Sequence, residues 1–205
     1  MPSIDVYYDY RSPYAYFTSK DLPAVAKRTP FEAVWRPVSI HILLNLQIGR
    51  DPWTPYEDPL PPIKRRYLLQ DVMRGAEQRG LPIQTPASLN SLGALDATLK
   101  LQGSTVEPAF RDRVFRALWE EQKDISKPAV LEAIAADLGE EARQAVRSAK
   151  FGQPENGEAL RGLETCSLEA FNQGVFGVPS FVLDGEVFFG ADRLDVLEWR
   201  LGRST

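Results

Sequence analysis

Apolar and polar residues alternate over residues 4–8, which predicts a short β-strand close to the amino terminus. From residue 13 onward the apolar positions take a helical spacing. Alternation returns over 31–36, and Pro37 either ends that strand or places it at the edge of a sheet. The order strand, helix, strand begins a βαβ unit, which implies parallel pairing with a right-handed crossover.

The middle of the chain shows helical periodicity and no strand signal. It begins with a proline-rich stretch, 51–62, which is predicted to be an extended loop. Glycine after several of the periodic runs is the expected left-handed helix stop. Helices are predicted over 64–79, 89–102, 107–122, 128–138 and 140–149.

The last part of the chain returns to mixed structure. Helical spacing over 159–172 leads into two short apolar runs, 181–183 and 186–189. An Asp-Gly dipeptide joins these runs and predicts a β-hairpin. A final amphipathic helix is predicted over 194–201.

This order of elements is that of an α/β protein with a thioredoxin-like fold that carries an inserted, all-helical domain. We predict a discontinuous thioredoxin-like domain made of residues 1–70 and 160–205, with the helical insertion at 71–159. A chain of 205 residues, of which 43% are hydrophobic, is long enough to bury a core in this arrangement.

Charge and composition exclude several kinds of partner. A net charge of −4 argues against a nucleic-acid-binding surface. The first strand follows Met1 closely and no apolar run could span a bilayer, so we expect no signal peptide, no membrane partner and a cytoplasmic location. The single Cys166 cannot form a disulfide within the chain, and the single His41 argues against a metal cluster or a catalytic triad.

The step from Ser12 to Pro13, where the first strand gives way to the first helix, is the candidate for chemistry. Proline suits the first helical position, so Ser12 is predicted to be the N-cap. Its hydroxyl would lie among unpaired backbone N–H groups at the positive end of the helix dipole, which suits a thiolate or another anion. Serine is also among the commonest caps, so a purely structural role is the alternative.

Three separated segments together resemble one family. They are residues 9–14 (DYRSPY), 174–179 (GVFGVP) and 189–194 (FGADRL). In this order they are similar to the DsbA-like thioredoxin superfamily, and within it to the branch of the 2-hydroxychromene-2-carboxylate isomerases and the kappa-class glutathione transferases. The likeness extends over nearly the whole chain.

In the disulfide oxidoreductases of this superfamily a Cys-x-x-Cys motif occupies the strand-to-helix turn, whereas residues 12–15 here are Ser-Pro-Tyr-Ala. Dithiol exchange needs a thiolate and a resolving sulfur, so redox activity by that route is excluded. The resemblance instead implies that Ser12 donates a hydrogen bond to the sulfur of bound glutathione. This bond would lower the pKa of the glutathione thiol from about 8.5 and supply a thiolate at neutral pH.

The resemblance also implies a set of glutathione-binding residues. Pro179 corresponds to the superfamily's cis-proline, which would let the Val178 backbone pair with the cysteinyl part of glutathione. An ordinary trans proline that opens an edge strand is the alternative. The amide of Ala191 and the carboxylate of Asp192 correspond to the site of the γ-glutamyl group, with a plain helix cap as the alternative for Asp192.

Further residues complete the expected site. Lys64 matches a family lysine that faces the glycine carboxylate or the substrate acid, although Leu60 stands where the family has an asparagine before the proline pair. A solvated helix face is the alternative for Lys64. The likeness places Tyr14 close to the thiol, and Trp53 and Tyr56 of the proline-rich loop could cover a flat substrate.

The function that the resemblance implies is a glutathione-dependent isomerase acting on a small, conjugated aromatic oxo-acid. Two alternatives stay open. In a kappa-like glutathione S-transferase the sulfur would remain on the product, whereas a non-catalytic module would bind thiol peptides without turnover. The family also suggests a homodimer, and no interface can be named from these residues.

Overall fold

The computed structural model describes residues 1–55, 60–152 and 160–203. The strands are β1 (Ser3–Tyr8), β2 (Glu32–Pro37), β3 (Ser180–Leu183) and β4 (Glu186–Phe189). The helices are α1 (Pro13–Arg28), α2 (Ile40–Gln47), α3 (Pro62–Arg79), α4 (Leu92–Lys100), α5 (Glu107–Trp119), α6 (Pro128–Ala136), α7 (Glu140–Ser148), α8 (Arg161–Asn172) and α9 (Leu194–Leu201). A short 3-10 helix, Ala191–Arg193, leads directly into α9.

The strands form one sheet in the order β2-β1-β3-β4. β1 and β2 are parallel, with Val6 opposite Trp35, as the βαβ pattern predicts. β3 is antiparallel to β1 and forms the predicted hairpin with β4. Both hairpin turn residues, Asp184 and Gly185, have positive φ, which matches the twist of the strands that they join. The sheet therefore places the end of β1 in its middle, next to the start of β3.

Helix α1 joins two parts of the hydrophobic core. Leu22 and Val25 pack with residues of β1 and α9 on one face of the sheet. Tyr16 and Phe17, one to two turns nearer the helix start, belong to a larger cluster that helices α3 to α7 supply. The first turn of α1 is therefore held between the sheet and the helical part of the protein.

An aromatic cluster fixes the segment that leaves β1. Tyr8 and Tyr10 meet edge to face with ring centroids 5.4 Å apart, and Tyr10 meets Phe115 of α5 at 4.8 Å. Such pairs are worth about 0.5–1.5 kcal/mol beyond the area they bury. The indole N–H of Trp119 donates to the Tyr10 carbonyl oxygen at 2.8 Å. Helix α5 thus holds both the side chain and the backbone of this segment.

Two of the differences from the sequence prediction, those at α2 and at the start of α4, have a reason that lies in side-chain hydrogen bonds. The sequence pattern does not predict α2, whose first amide, that of Ile40, donates to the Asp9 carboxylate 31 positions away. Helix α4 begins at Leu92 rather than at residue 89. The amides of Asn90 and Leu92 each donate to the side chain two residues before, a local arrangement that competes with helix.

Helix α3 runs without a break across residue 70, where the first boundary of the inserted domain is predicted. The division into residues 1–70 with 160–205 and residues 71–159 therefore stays a prediction. No helix in the described parts of the chain is both long enough and apolar enough to cross a membrane.

Candidate active site

Ser12 is the N-cap of α1, as predicted. Its backbone is extended, with φ −89° and ψ 115°, and its Oγ accepts a hydrogen bond from the Ala15 amide at 3.2 Å. The hydroxyl also donates to the backbone carbonyl oxygen of Val178, at 3.4 Å. A hydroxyl that accepts from a helix amide keeps its proton for donation. The cap role therefore leaves the Ser12 O–H directed at the Val178 backbone.

The peptide bond between Val178 and Pro179 is cis, as the resemblance implies. Two hydrogen bonds brace this segment: the Ser180 hydroxyl donates to the Gly177 carbonyl at 2.7 Å, and the Gly190 amide donates to the Pro179 carbonyl at 2.9 Å. Val178 is 6% exposed, and its amide donates to no other group among the described residues. Because buried backbone donors are nearly always paired, this amide is suited to a ligand acceptor.

Ala191 and Asp192 begin the 3-10 helix, which packs against α1. Gly190, just before them, has φ 110°, and a Cβ at that position would collide with Oδ1 of Asp192. The Asp192 side chain is exposed and lies 3.4 Å from the Arg193 guanidinium. Amides in the first turn of a helix have no partner within it. This corner therefore offers N–H donors beside a carboxylate, which fits the carboxylate and ammonium groups of an amino acid.

Tyr14 directs its hydroxyl toward α3. It donates to Oδ2 of Asp71 at 2.7 Å. Burial is the largest cause that raises the pKa of Tyr14 well above its ordinary value, and the bond to Asp71 and the charges of Asp71 and Asp192 add to it. The hydroxyl is therefore neutral at physiological pH and is already bound to a carboxylate.

Asp9 is a site residue to which the sequence analysis assigns no role. Its side chain is 1% exposed, and its carboxylate accepts from the Ser91 hydroxyl at 2.6 Å, the Arg11 amide at 3.1 Å and the Ile40 amide at 3.0 Å. Burial raises the pKa of Asp9, while the Arg11 charge and these hydrogen bonds act in the opposite direction. An acidic residue directly after an apolar strand was the signal that could have identified it.

Two cavities adjoin this turn, and Arg11 and Leu89 line both of them. Each has a volume of about 340 Å³. The first is apolar, and its other lining residues are Pro13, Tyr14, Leu60, Leu68, Leu69, Val72, Met73, Ile83, Gln84, Thr85, Pro86 and Trp119. The second is polar, and its other lining residues are Asp9, Ser39, His41, Asn90, Ser91 and Leu92.

The proline-rich loop lies partly within the described residues. The indole N–H of Trp53 donates to Glu164 of α8 at 2.5 Å, and Tyr56 lies outside the described residues, so a cover over a flat substrate stays a prediction. His41 is buried, with Nε2 2.6 Å from the Thr54 carbonyl oxygen. Within the described ranges, no group of three His, Cys, Asp or Glu side chains could hold a metal ion.

The structure brings some of the predicted site residues together and not others. Ser12 contacts the Val178 backbone, and Asp192 is close enough to Tyr14 for its charge to raise the tyrosine pKa. Lys64 lies in the first turn of α3, exposed, and is not among the described residues that line either cavity. A role for Lys64 in ligand binding stays a prediction.

Comparison with known proteins extends these observations. The profile of the DSBA-like thioredoxin domain matches residues 3–202. A 2-hydroxychromene-2-carboxylate isomerase from Sphingobium xenophagum is 30% identical over 199 residues, which cover 96% of each chain. A glutathione S-transferase kappa 2 from Caenorhabditis elegans is 23% identical over 93% of this chain and 88% of that protein.

Solved structures share the fold. A structure of 2-hydroxychromene-2-carboxylate isomerase matches with a TM-score of 0.78 at 24% identity, covering 98% of this chain and 95% of that chain. The cytosolic disulfide reductase DsbM from Pseudomonas aeruginosa, in its structure with GSH, has a TM-score of 0.63 at 21% identity, with 98% of both chains covered. The chain belongs to the DSBA-like thioredoxin family, and within it to the branch of enzymes named 2-hydroxychromene-2-carboxylate isomerase and kappa-class glutathione transferase.

Proposed function

We propose that the protein is a glutathione-dependent isomerase of the 2-hydroxychromene-2-carboxylate type, acting on a small conjugated aromatic oxo-acid. One observation carries the proposal: the Ser12 hydroxyl, at the start of α1, faces the backbone of Val178, whose buried amide has no partner among the described residues. A hydrogen-bond donor, a helix N-terminus and a free backbone amide therefore meet where a thiol peptide would bind. The names of the relatives support the reaction class.

The reacting thiolate is not supplied by the chain. Residues 12–15 contain no cysteine, and Cys166 is half-buried on α8, where burial is the main cause that raises its thiol pKa. A raised pKa keeps that thiol protonated and weakly reactive at neutral pH. Bound glutathione would supply a thiolate that adds reversibly to a conjugated carbon and leaves after a substrate bond has rotated, so no oxidant or reductant is needed.

The chain's residues bind and activate the ligand. The Ser12 hydroxyl donates to the sulfur in place of the Val178 carbonyl, and the α1 dipole favours negative charge there, so both lower the thiol pKa. The Val178 backbone pairs with the cysteinyl unit as a strand would. The Ala191 amide and the Asp192 carboxylate hold the γ-glutamyl end, and Lys64 is assigned to the glycine carboxylate. Tyr14 shapes the site through its ring, because its hydroxyl is bound to Asp71.

The apolar cavity supports an aromatic substrate. It begins at Pro13 and Tyr14, immediately after Ser12, and extends along α3. Its volume is about 340 Å³, whereas an apolar cavity of about 150 Å³ holds a benzene ring. The space therefore admits an aromatic ring together with a conjugated side chain.

The first test is a calorimetric titration of reduced glutathione into the protein, in two neutral buffers that differ in ionisation enthalpy. Binding with proton release supports a site that forms thiolate. No heat at millimolar glutathione would count against a glutathione site. Ser12→Ala is the matched variant, and we expect it to bind glutathione with less proton release.

Analysis of products separates the possible activities. With 2-hydroxychromene-2-carboxylate as substrate, an isomer of unchanged mass and full recovery of glutathione support the isomerase. A product that carries glutathione would identify a transferase, and binding without turnover would identify a non-catalytic module. A cytoplasmic location and a homodimer complete the proposal, and light scattering in solution tests the dimer.

A further inference from the structure

Arg11 lies at the boundary between two cavities of opposite character. The apolar cavity is formed mainly by α3 and by the segment that follows it, with Leu68, Val72, Met73 and Ile83 among its walls. The polar cavity is lined instead by side chains that bear hydroxyl, amide, imidazole and carboxylate groups. Arg11 is half-buried and lines both. A ligand with an apolar body in the first cavity would meet a guanidinium at its polar end.

Arg11 is also adjacent to Ser12 in the chain, and consecutive Cα atoms lie about 3.8 Å apart across a trans peptide. The backbones of Arg11 and Ser12 therefore belong to the same turn, where β1 gives way to α1. Guanidinium groups bind carboxylates through two parallel N–H donors, which fixes the orientation of the acid as well as its position. An exposed lysine such as Lys64, which lines neither cavity, offers no comparable constraint.

We propose that Arg11 determines substrate specificity by binding the carboxylate of an aromatic acid whose ring occupies the apolar cavity. The reaction carried out on that acid rests on the proposed isomerase function, whereas the binding step does not. In this proposal Arg11 binds the carboxylate of the substrate, and Lys64 binds the glycine carboxylate of glutathione.

The neighbouring Asp9 positions the backbone of Arg11. Its carboxylate already accepts three hydrogen bonds, from the Ser91 hydroxyl and from the backbone amides of Arg11 and Ile40. One of these bonds comes from the Arg11 main chain. The backbone of Arg11 is therefore fixed beside the cavities while its side chain lines both.

The test compares an aromatic acid with its neutral analogue in the absence of glutathione. Trans-cinnamate and cinnamamide, which share the ring and differ in charge, are titrated calorimetrically into the wild type, Arg11→Gln, Arg11→Lys and Arg66→Gln. Hydrogen bonds to charged groups imply that Arg11→Gln weakens cinnamate binding by about 10- to 100-fold and leaves cinnamamide binding unchanged. Arg11→Lys is expected to retain part of the affinity. Arg66, an exposed cation of α3, is the matched control and should have no effect.

Several outcomes would overturn the proposal. They are equal binding of the acid and the amide by the wild type, equal effects of Arg11→Gln and Arg66→Gln, and no cinnamate binding with or without saturating glutathione. A glutathione titration of the same variants separates the two possible acids. Weaker glutathione binding with unchanged cinnamate binding would assign Arg11 to the glycine carboxylate. If the wild type does not bind glutathione, the proposed glutathione-dependent isomerase function is wrong. The result with cinnamate would still stand.

Discussion

The hydroxyl of Ser12 lies 3.4 Å from the backbone carbonyl oxygen of Val178, although 166 positions separate the two residues in the chain. The Ser12 Oγ also accepts a hydrogen bond from the Ala15 amide and so caps α1. One side chain therefore begins a helix and contacts the segment that precedes β3. Its structural and chemical roles can be separated by substitution, because glycine lacks the hydroxyl but is nearly as good a helix cap as serine.

The variants Ser12→Ala and Ser12→Gly together separate the capping role of Ser12 from its role as a hydrogen-bond donor to the thiolate. Loss of the cap should lower the free energy of unfolding by about 1 kcal/mol for alanine and by only a few tenths for glycine. Both variants should raise the pKa of bound glutathione, because each lacks the donor. Ultraviolet absorbance of the thiolate and urea unfolding measure the two effects. If the free energy of unfolding falls by more than about 2 kcal/mol while the pKa of bound glutathione does not change, Ser12 acts only as a helix cap.

Tyr14→Phe should affect stability more than chemistry. Its hydroxyl donates to Asp71 at 2.7 Å, so its removal should lower the free energy of unfolding by about 1.5–3 kcal/mol, as for hydrogen bonds to charged groups. The pKa of bound glutathione should change little. A double-mutant cycle with Asp71→Asn checks the pairing through unfolding in urea. Additive effects of the two substitutions would show that the hydroxyl has another partner.

Gly190→Ala tests the corner assigned to the γ-glutamyl group. A side chain at φ 110° should cost about 1–3 kcal/mol of stability, and its Cβ would collide with Asp192. Gly103→Ala is the control, since that glycine also has positive φ and an added methyl group would have no neighbour within 4 Å. Both variants should unfold at a lower urea concentration than the wild type, but only Gly190→Ala should weaken glutathione binding. Equal glutathione affinity in the two would argue against this corner.

Asp9→Asn should change how stability depends on pH. Burial raises the pKa of Asp9 in the folded chain above the unfolded value of about 3.9. The folded state then holds its proton more tightly, so this contribution to stability is full below the unfolded pKa and is lost as pH rises through the folded pKa. The stability of the wild type relative to Asp9→Asn should therefore fall as pH rises from about 4. Thermal unfolding of both from pH 3 to 8 measures this, and a difference that grows with pH would contradict it.

Local signals predicted most of the fold. The alternation before Ser12, the Asp-Gly hairpin turn and the left-handed helix stop at Gly80 were correct, because each depends on the chemistry of a few adjacent residues. Gly103 and Gly139 also have positive φ, but the helices before them end earlier, at Lys100 and Ala136. The N-cap at Ser12 belongs to the same class. The resemblance to a family supplied the cis-proline, which the residues alone did not favour over a trans bond.

The features that the sequence did not predict depend on distant partners. The first amide of helix α2 donates to Asp9 from 31 positions away, and the Ser91 hydroxyl donates to the same carboxylate from 82 positions away. The position of Arg11 between two cavities arises only when α3 and the segment before α4 fold beside the turn. No spacing rule connects such residues, so their roles required the folded arrangement.

The buried carboxylate of Asp9 also has a consequence for the rate at which the protein exchanges amide hydrogens with solvent. The amides of Arg11 and Ile40 both donate to it, and the Ser91 hydroxyl joins the start of α4 to the same point. Each amide exchanges its hydrogen only when its bond to this carboxylate opens. Their hydrogens should therefore be protected from exchange together, and Asp9→Asn should change the exchange rates of both amides although they are far apart in the chain.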